Sequence, residues 1–149
     1  MKLHVDVTSG STGTIPLRDG TDIVICRRIV GQIAETLRFS EAGKTMLVTA
    51  ASELARNALL HGGGGEVCWT VLREGDGAGV QLEFRDHGPG IPDLGLAMTD
   101  GWSSGEGLGL GLSGARRLVH EFTIDSTIGA GTRVVVVRWR QLPVTKKHR

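Results

Sequence analysis

The longest uninterrupted helical pattern in the sequence is EAGKTMLVTAASELARNALLH, which covers residues 41–61 and runs into four consecutive glycines. Its apolar residues recur at i, i+4 and i+7 spacing, which places them in one stripe: Leu47, Ala51, Leu54 and Ala58. The glycines from Gly62 to Gly65 are a typical helix stop. The pattern therefore predicts one long amphipathic helix with a defined end.

The segments around this helix give the order of the remaining elements. Asp22 precedes IVICRRIVGQIAETLRF, whose apolar spacing is helical, and is predicted as the N-cap of a first helix. Strand signals occur at LHVDV, TIPL, EVCWTVLR, VQLEFRD, FTID and TRVVVVRW, with EGDGAG as a hairpin turn and a helix around GLSGARRLVHE. Runs of helices beside adjacent antiparallel strands predict an α+β fold, a two-layer α/β sandwich with a mixed, mostly antiparallel sheet and helices on one face.

Length and charge limit what the chain can be. Its 149 residues predict a single domain spanning 1–149, with a flexible tail at about 141–149. The net charge of +1 gives no overall field that favours nucleic acid or a membrane surface, and no apolar run approaches a membrane span of ~18 residues. Cys26 and Cys68 lack metal-ligand spacing. The sequence thus predicts a cytoplasmic protein with reduced thiols.

A polar stripe runs along the long helix beside its apolar one. Glu53, Asn57 and His61 follow one another at four-residue intervals, so they share a face at the edge of the core. An amide oxygen can ligate a hard cation, and a carboxylate one turn away can orient or deprotonate a nucleophile. The alternative is that the stripe is only the polar boundary of an amphipathic helix.

The strand VQLEFRD ends in a carboxylate on its apolar face. Val80, Leu82 and Phe84 alternate onto one face, and Asp86 continues it. A carboxylate there needs a hydrogen-bond donor. The glycines of the following HGPGIP let the backbone pass close to something flat, and the exocyclic amine of adenine would be a suitable donor. A tight turn capped by an aspartate is an equally good interpretation.

Alternating glycines precede the next helix in SSGEGLGLGLSG. Glycines that enter a helix N-terminus expose backbone N–H groups, which together with the helix dipole make a phosphate site. No GK[ST] motif follows, so this is not a P-loop. The long stretch at residues 92–107 is typical of an active-site lid. A merely flexible loop is the alternative.

Four motifs in order resemble the nucleotide-binding boxes of the gyrase–Hsp90–histidine kinase–MutL (GHKL) superfamily, which has the Bergerat ATP-binding fold. They are ELARN (53–57), DHGPG (86–90), GLGLG (107–111) and GAGT (129–132). Over about residues 15–139 the chain is similar to the RsbT-type switch serine/threonine kinases and, more distantly, to the anti-sigma factors RsbW and SpoIIAB. The lysine that many histidine kinases carry just after the box asparagine is missing.

The resemblance implies ATP and Mg²⁺ as cofactors and gives roles at the phosphate end of the nucleotide. Asn57 would coordinate Mg²⁺, and Glu53 would act as the base or orienter for the incoming hydroxyl. Three glycines would cradle the phosphates beneath a mobile lid: Gly107, Gly109 and Gly111.

The resemblance also gives roles at the adenine end. Asp86 would accept a hydrogen bond from adenine, Gly88 and Gly90 would shape the slot, and Thr132 would join the adenine network through water. The roles of three basic residues near these motifs stay open: His61, Arg116 and Arg117.

By resemblance, the function is that of an ATP-dependent serine/threonine kinase in a bacterial partner-switching pathway of stress response, such as a stressosome. The substrate would be a STAS-domain antagonist or scaffold protein, and the freed kinase would bind a PP2C-type phosphatase or a sigma factor. A nucleotide-dependent binding module without catalysis and a stand-alone ATPase are the alternatives. Glu53 favours catalysis, because a pure binding module has no need for a base.

Overall fold

The computed structural model describes residues 8, 10–99 and 111–141. The chain order of its elements is β1 (Thr12–Leu17), α1 (Gly20–Thr36), α2 (Glu41–Leu60), β2 (Gly65–Glu74), β3 (Gly77–Asp86), α3 (Leu94–Ala97), α4 (Gly111–Arg117), β4 (Glu121–Thr127) and β5 (Gly131–Trp139). The predicted order of helices and strands is confirmed, and the single-turn helix α3 is an addition. The predicted strand LHVDV and most of the predicted tail lie outside the described residues.

Helix α1 begins earlier than predicted. Its N-cap is Asp19, whose Oδ1 accepts hydrogen bonds from the backbone N–H groups of Thr21, at 2.9 Å, and Asp22, at 3.3 Å. The prediction of Asp22 as the N-cap is therefore wrong. Asp22 lies in the first turn, where its buried carboxylate pairs with Arg18. Hydrogen bonds from the Arg18 side chain and backbone lower the pKa of Asp22 to about 2.

Helix α2 has nearly the predicted bounds. The Ser40 hydroxyl caps it by accepting a hydrogen bond from the backbone N–H of Gly43 at 3.0 Å. The helix ends at Leu60, with His61 as the C-cap. Gly63 and Gly64 follow with positive φ angles of 72° and 108°, which turn the chain back into the sheet.

The five strands form one sheet in the order β1-β2-β3-β5-β4, and every pairing among the described residues is antiparallel. The predicted hairpin of β2 and β3 closes through two residues, because Glu74 pairs with Gly77. In the centre of the sheet Leu82 lies between Trp69 and Val136. Strand β3 is therefore the central strand, and Asp86 at its end is opposite Thr132 of β5.

The two faces of the sheet differ in chemistry. The face under the helices is apolar and buried, and its central residues are Val67, Val71, Val80, Leu82 and Val136. The opposite face carries polar residues such as Glu83, which accepts a hydrogen bond from Arg133 at 2.7 Å. This is the predicted two-layer sandwich with helices on one face. Among the described residues, no helix combines the length and apolar character needed to cross a membrane.

Candidate functional site

A cavity of about 560 Å³ lies between the second half of α2 and the ends of β3 and β5. This volume is within the usual range for sites that enclose a small molecule. It is lined by six of the predicted site residues: Glu53, Asn57, Asp86, Gly90, Gly111 and Thr132. Gly88 lies directly behind Asp86, while Gly107 and Gly109 lie outside the described residues. Residues from all four motifs thus meet at one site.

One side of the cavity is the polar face of α2, which we call the helix wall: Glu53, Asn57 and His61. Oε1 of Glu53 is 3.2 Å from Nη1 of Arg56, and only 12% of the Glu53 side chain is exposed, against 41% for Arg56. The ion pair holds one carboxylate oxygen at the cavity edge and does not use Oε2. The predicted polar stripe therefore faces a cavity as well as forming the boundary of the core.

The other side, which we call the sheet wall, is formed by Asp86, Gly90 and Thr132. Oδ1 of Asp86 accepts hydrogen bonds from the backbone N–H groups of Gly88, at 3.0 Å, and Thr132, at 3.2 Å. Neither bond uses Oδ2. Asp86 thus caps the turn, as one interpretation predicted, and its carboxylate also lines the cavity; its bond to adenine stays a prediction.

Apolar side chains line the cavity between the two walls. Among them are Leu54, Phe84, Ile91, Leu112 and Val134. Such a lining excludes water from the faces of a flat ring, while the few polar groups at its edge fix the orientation of that ring. The arrangement suits a heteroaromatic base at the sheet wall.

Close backbone approach gives the sheet wall its shape. A Cβ atom on Gly62 would lie 2.2 Å from Cγ of Asp86, and one on Gly88 would lie 2.6 Å from Cα of Gly62. Only glycine fits at these positions without movement of the backbone or of Asp86. The sequence predicted Gly62 as a helix stop alone, because its contact with Asp86 joins two elements distant in the chain.

Ser126 is a polar residue behind the sheet wall that the sequence did not indicate. Its Oγ accepts a hydrogen bond from the backbone N–H of Ile91 at 2.7 Å and lies 2.9 Å from Oγ1 of Thr132. It is also 3.4 Å from the carbonyl oxygen of Gly131. In the sequence this serine directly follows the predicted strand FTID, and no motif around it indicates a role in the site.

The predicted phosphate end of the site is described in part. Gly111 begins α4 and lines the cavity, whereas Arg116 and Arg117 lie at the far end of α4 and are exposed. Of the predicted lid, residues 92–99 are described: Asp93 caps α3 by accepting from the N–H of Leu96 at 2.9 Å. Leu96 lines the cavity and is 50% exposed.

The residues present fit ATP and Mg²⁺. The described residues hold no group of three or more His, Cys, Asp or Glu side chains that could enclose a metal ion. Mg²⁺ is commonly held by one or two protein oxygens together with phosphate oxygens and waters. The side-chain oxygen of Asn57, which lines the cavity beside Glu53, is of the required type.

Comparison with known proteins gives a family match and a curated relative. Residues 42–143 match the family described as histidine kinase-, DNA gyrase B-, and HSP90-like ATPase. The chain is 38% identical over 118 residues to the serine/threonine-protein kinase RsbT of Bacillus subtilis (strain 168), covering 79% of this chain and 89% of that protein. A solved structure of the mycobacterial sensor histidine kinase MprB is 18% identical, with a TM-score of 0.48, over 85% of this chain and 95% of that chain.

Proposed function

Because the chain belongs to the family of histidine kinase-, DNA gyrase B-, and HSP90-like ATPases, and within it to the RsbT-like kinases, we propose that it phosphorylates a STAS-domain antagonist protein with ATP and then binds another partner. The chain is a protein serine/threonine kinase. The observation that carries the proposal is the single cavity in which Glu53 and Asn57 face Asp86 and Thr132. Such a site can hold a nucleotide by its base and present a carboxylate at the other end.

At the adenine end, the residues of the sheet wall bind and orient. Oδ2 of Asp86 accepts from the exocyclic amine of adenine, while Oδ1 stays bonded to two backbone N–H groups. The Thr132 hydroxyl contacts the neighbouring ring nitrogen directly or through water. Gly88 and Gly90 let the backbone approach the ring, and the apolar lining excludes water from its faces.

At the phosphate end, the residues of the helix wall act on the transfer. Asn57 supplies a side-chain oxygen to Mg²⁺, which neutralises charge on the phosphates when bound. The N–H groups at Gly111, together with Gly107 and Gly109, cradle the phosphate oxygens. Glu53 orients the serine or threonine hydroxyl of the substrate and takes its proton as the γ-phosphoryl group is transferred. Arg56 holds Glu53 at the cavity edge during this step.

The partner-switching part of the proposal follows from the charge that phosphorylation adds. A phosphorylated STAS protein gains roughly −1.5 to −2 charge units at neutral pH on the surface that docked with the kinase, and the complex dissociates. The released kinase then binds a PP2C-type phosphatase or, as in the anti-sigma factors, a sigma factor. We place this exchange in the cytoplasm, since Cys26 and Cys68 are both free thiols.

The test is a phosphorylation assay with γ-labelled Mg-ATP and a candidate STAS protein from the same genomic neighbourhood. Four proteins are compared: the unaltered chain, Glu53→Ala, Asn57→Ala and the control Glu41→Gln. Glu41 is on the same helix but outside the cavity. We expect label on a serine or threonine of the partner with the unaltered chain and the control, and none with the two cavity variants.

Two other results would contradict the proposal. Tight ATP binding and partner capture without any label would establish a nucleotide-dependent binding module in place of a kinase. ATP hydrolysis at the same rate with and without the partner, again without label on it, would indicate a stand-alone ATPase.

A further inference from the structure

We infer that Arg56 is a further catalytic residue, which binds the γ-phosphate of ATP with the guanidinium N–H groups that Glu53 does not occupy. The inference rests on the proposed function, because it concerns the phosphate end of that same site. It starts from two observations: the charges that line the cavity, and the position of Arg56 beside the proposed base.

The cavity has few positive charges to set against a triphosphate. Among the lining residues that the structure describes, Arg56 is the only lysine or arginine, whereas three carboxylates line the same cavity: Glu53, Asp86 and Asp93. The glycine-rich region adds no cation, because residues 86–115 contain neither lysine nor arginine. A triphosphate stays anionic even with Mg²⁺ bound, and an anion taken out of bulk water needs an opposite charge nearby. Arg56 is in place to supply that charge.

Arg56 also lies at the phosphate end of the cavity. Its Nη1 is 3.2 Å from Oε1 of Glu53, the carboxylate that the proposed function places beside the γ-phosphoryl group. His61, the other basic side chain of the lining, lies about two turns further along the helix from Glu53. It directly precedes Gly62, which packs against the carboxylate of Asp86. His61 therefore lies toward the adenine end, and Arg56 toward the γ-phosphate.

The guanidinium of Arg56 has more donors than Glu53 can use. It carries five N–H groups in a planar fork, and its hydrogen bond within the described part of the chain is the one from Nη1 to Oε1 of Glu53. The side chain lines the cavity and is 41% exposed. It can therefore turn other N–H groups to a phosphate without releasing Glu53. Two parallel N–H···O bonds are the usual way in which arginine binds a phosphate.

The pairing with Glu53 makes this contact stronger during the transfer than before it. Glu53 takes the hydroxyl proton while the hydroxyl oxygen bonds to the γ-phosphorus and the bond from that phosphorus to the β–γ bridging oxygen breaks, which leaves ADP. The proton removes the negative charge of Glu53. The positive charge of Arg56 is then no longer shared, just as charge redistributes over the transferring group and ADP. An interaction that strengthens in the transition state raises the rate.

The first test compares the dissociation constants of ATP and ADP, with Mg²⁺ and without a protein partner. In Arg56→Gln, the ratio of the ADP constant to the ATP constant should fall by about tenfold, because ATP alone has the γ-phosphate. Arg56→Lys keeps the charge but not the fork, so its ratio should fall less. The matched control is Arg116→Gln, since Arg116 is exposed at the far end of α4 and does not line the cavity. Its ratio should not change.

A second test separates contact with the phosphate from a role in holding Glu53 alone. In a Glu53→Gln background, Arg56→Gln should lower the ratio by the same factor, because the γ-phosphate contact does not need the carboxylate. If Arg56 only held Glu53, the ratio would stay the same there. With Glu53 in place, Arg56→Gln should also slow single-turnover transfer to the partner by about 10²- to 10³-fold.

The outcomes distinguish the two proposals. Three results would overturn the role of Arg56 and leave the kinase proposal intact: an equal loss of ATP and ADP affinity in Arg56→Gln, an effect that disappears in the Glu53→Gln background, or the same fall in Arg116→Gln. Failure of the unaltered chain to bind ATP overturns the proposed function and this inference together. Failure of the labelling assay with the ratios as expected overturns the kinase proposal and leaves Arg56 as a ligand of the γ-phosphate.

Discussion

The two walls of the cavity hold their polar groups by different means. On the helix wall, Glu53 and Asn57 are carried by long or flexible side chains, and the contact that the structure gives Glu53 is one ion pair to a half-exposed arginine. On the sheet wall, the Asp86 carboxylate is fixed by two backbone N–H groups and the Thr132 hydroxyl by that of Ser126. Gly62 and Gly88 pack behind them in a second layer with Ser126.

This difference suggests that the helix wall determines the rate of the reaction and that the sheet wall determines the shape of the cavity. Side chains on a helix surface can be exchanged with little effect on the backbone, so changes on the helix wall should alter the rate of transfer and spare the fold. On the sheet wall, backbone segments are in contact, so even one added carbon atom should change the cavity. The predictions below test this separation, beginning with the largest effect.

Glu53→Gln should lower the rate of phosphoryl transfer to the partner by about 10²- to 10⁴-fold, since the substitution removes a general base. ATP affinity should stay within about threefold of that of the unaltered chain, because Glu53 lies on the helix wall and not beside the adenine-binding residues of the sheet wall. Single-turnover transfer and equilibrium ATP binding measure the two quantities. Glu41→Gln, on the same helix, is the control. A parallel fall in ATP affinity would show that the helix wall also determines binding.

Gly131→Ala should cause the largest loss of stability. Gly131 has a φ of +108°, and an added Cβ would lie 2.1 Å from the carbonyl oxygen of Asp86, a backbone atom that cannot rotate away. We expect a cost of about 3 kcal/mol or more in the free energy of unfolding. Gly129→Ala is the matched control: its φ is +82°, but nothing lies within 4 Å, so only the backbone strain of ~1–2 kcal/mol remains. Urea unfolding compares the two, and equal costs would contradict the close-contact argument.

Asp86→Asn should weaken ATP binding by about 10- to 100-fold, because a hydrogen bond to a carboxylate is replaced by one to a neutral amide. Purine riboside triphosphate lacks the N6 amine, so its affinity should change far less. The rate of transfer at saturating ATP should stay close to that of the unaltered chain. Calorimetric titration with both nucleotides gives the comparison. An equal loss for both would mean that Asp86 only maintains the turn.

The helix wall was predictable from the sequence because its signal is local. A four-residue repeat places Glu53, Asn57 and His61 on one helix face whatever the tertiary structure is. The alternation of VQLEFRD likewise predicted that Asp86 lies on the apolar face of its strand. Both predictions concern residues within one element, where geometry follows from spacing alone.

The second layer of the sheet wall was not predictable, because its contacts join distant residues. Ser126 meets Ile91 across 35 positions, and Gly62 meets Asp86 across a complete hairpin. Neither pairing is specified until β3, β4 and β5 are in register. The misplaced N-cap has a different cause: Asp19 and Asp22 both fit the capping pattern, and the Arg18 side chain decides between them by pairing with Asp22.

The ion pair of Arg18 and Asp22 lies away from both walls, so its removal should have the smallest effect on the site. Its carboxylate accepts from the backbone N–H of Arg18 at 2.7 Å and from its Nε at 3.0 Å. Since these bonds lower the pKa of Asp22 from 3.8 to about 2, their contribution to stability is complete above pH 4 and is lost as the pH falls toward 2. The Asp22→Asn variant has no carboxyl group to titrate at this position, whereas all other titratable groups are the same in the variant and in the unaltered chain.

The difference in urea midpoint between the unaltered chain and Asp22→Asn should therefore be constant from pH 7 to about 4 and shrink between pH 4 and 2. ATP affinity at pH 7 should be the same for both proteins, because Asp22 does not line the cavity. A midpoint difference that does not change with pH would mean that the pKa of Asp22 is the same in the folded and the unfolded protein, so that the pair with Arg18 does not favour the ionised carboxylate. A change in ATP affinity would show that the first helix, although it does not line the cavity, influences nucleotide binding. The two walls would then not be the only parts of the molecule that determine the properties of the site.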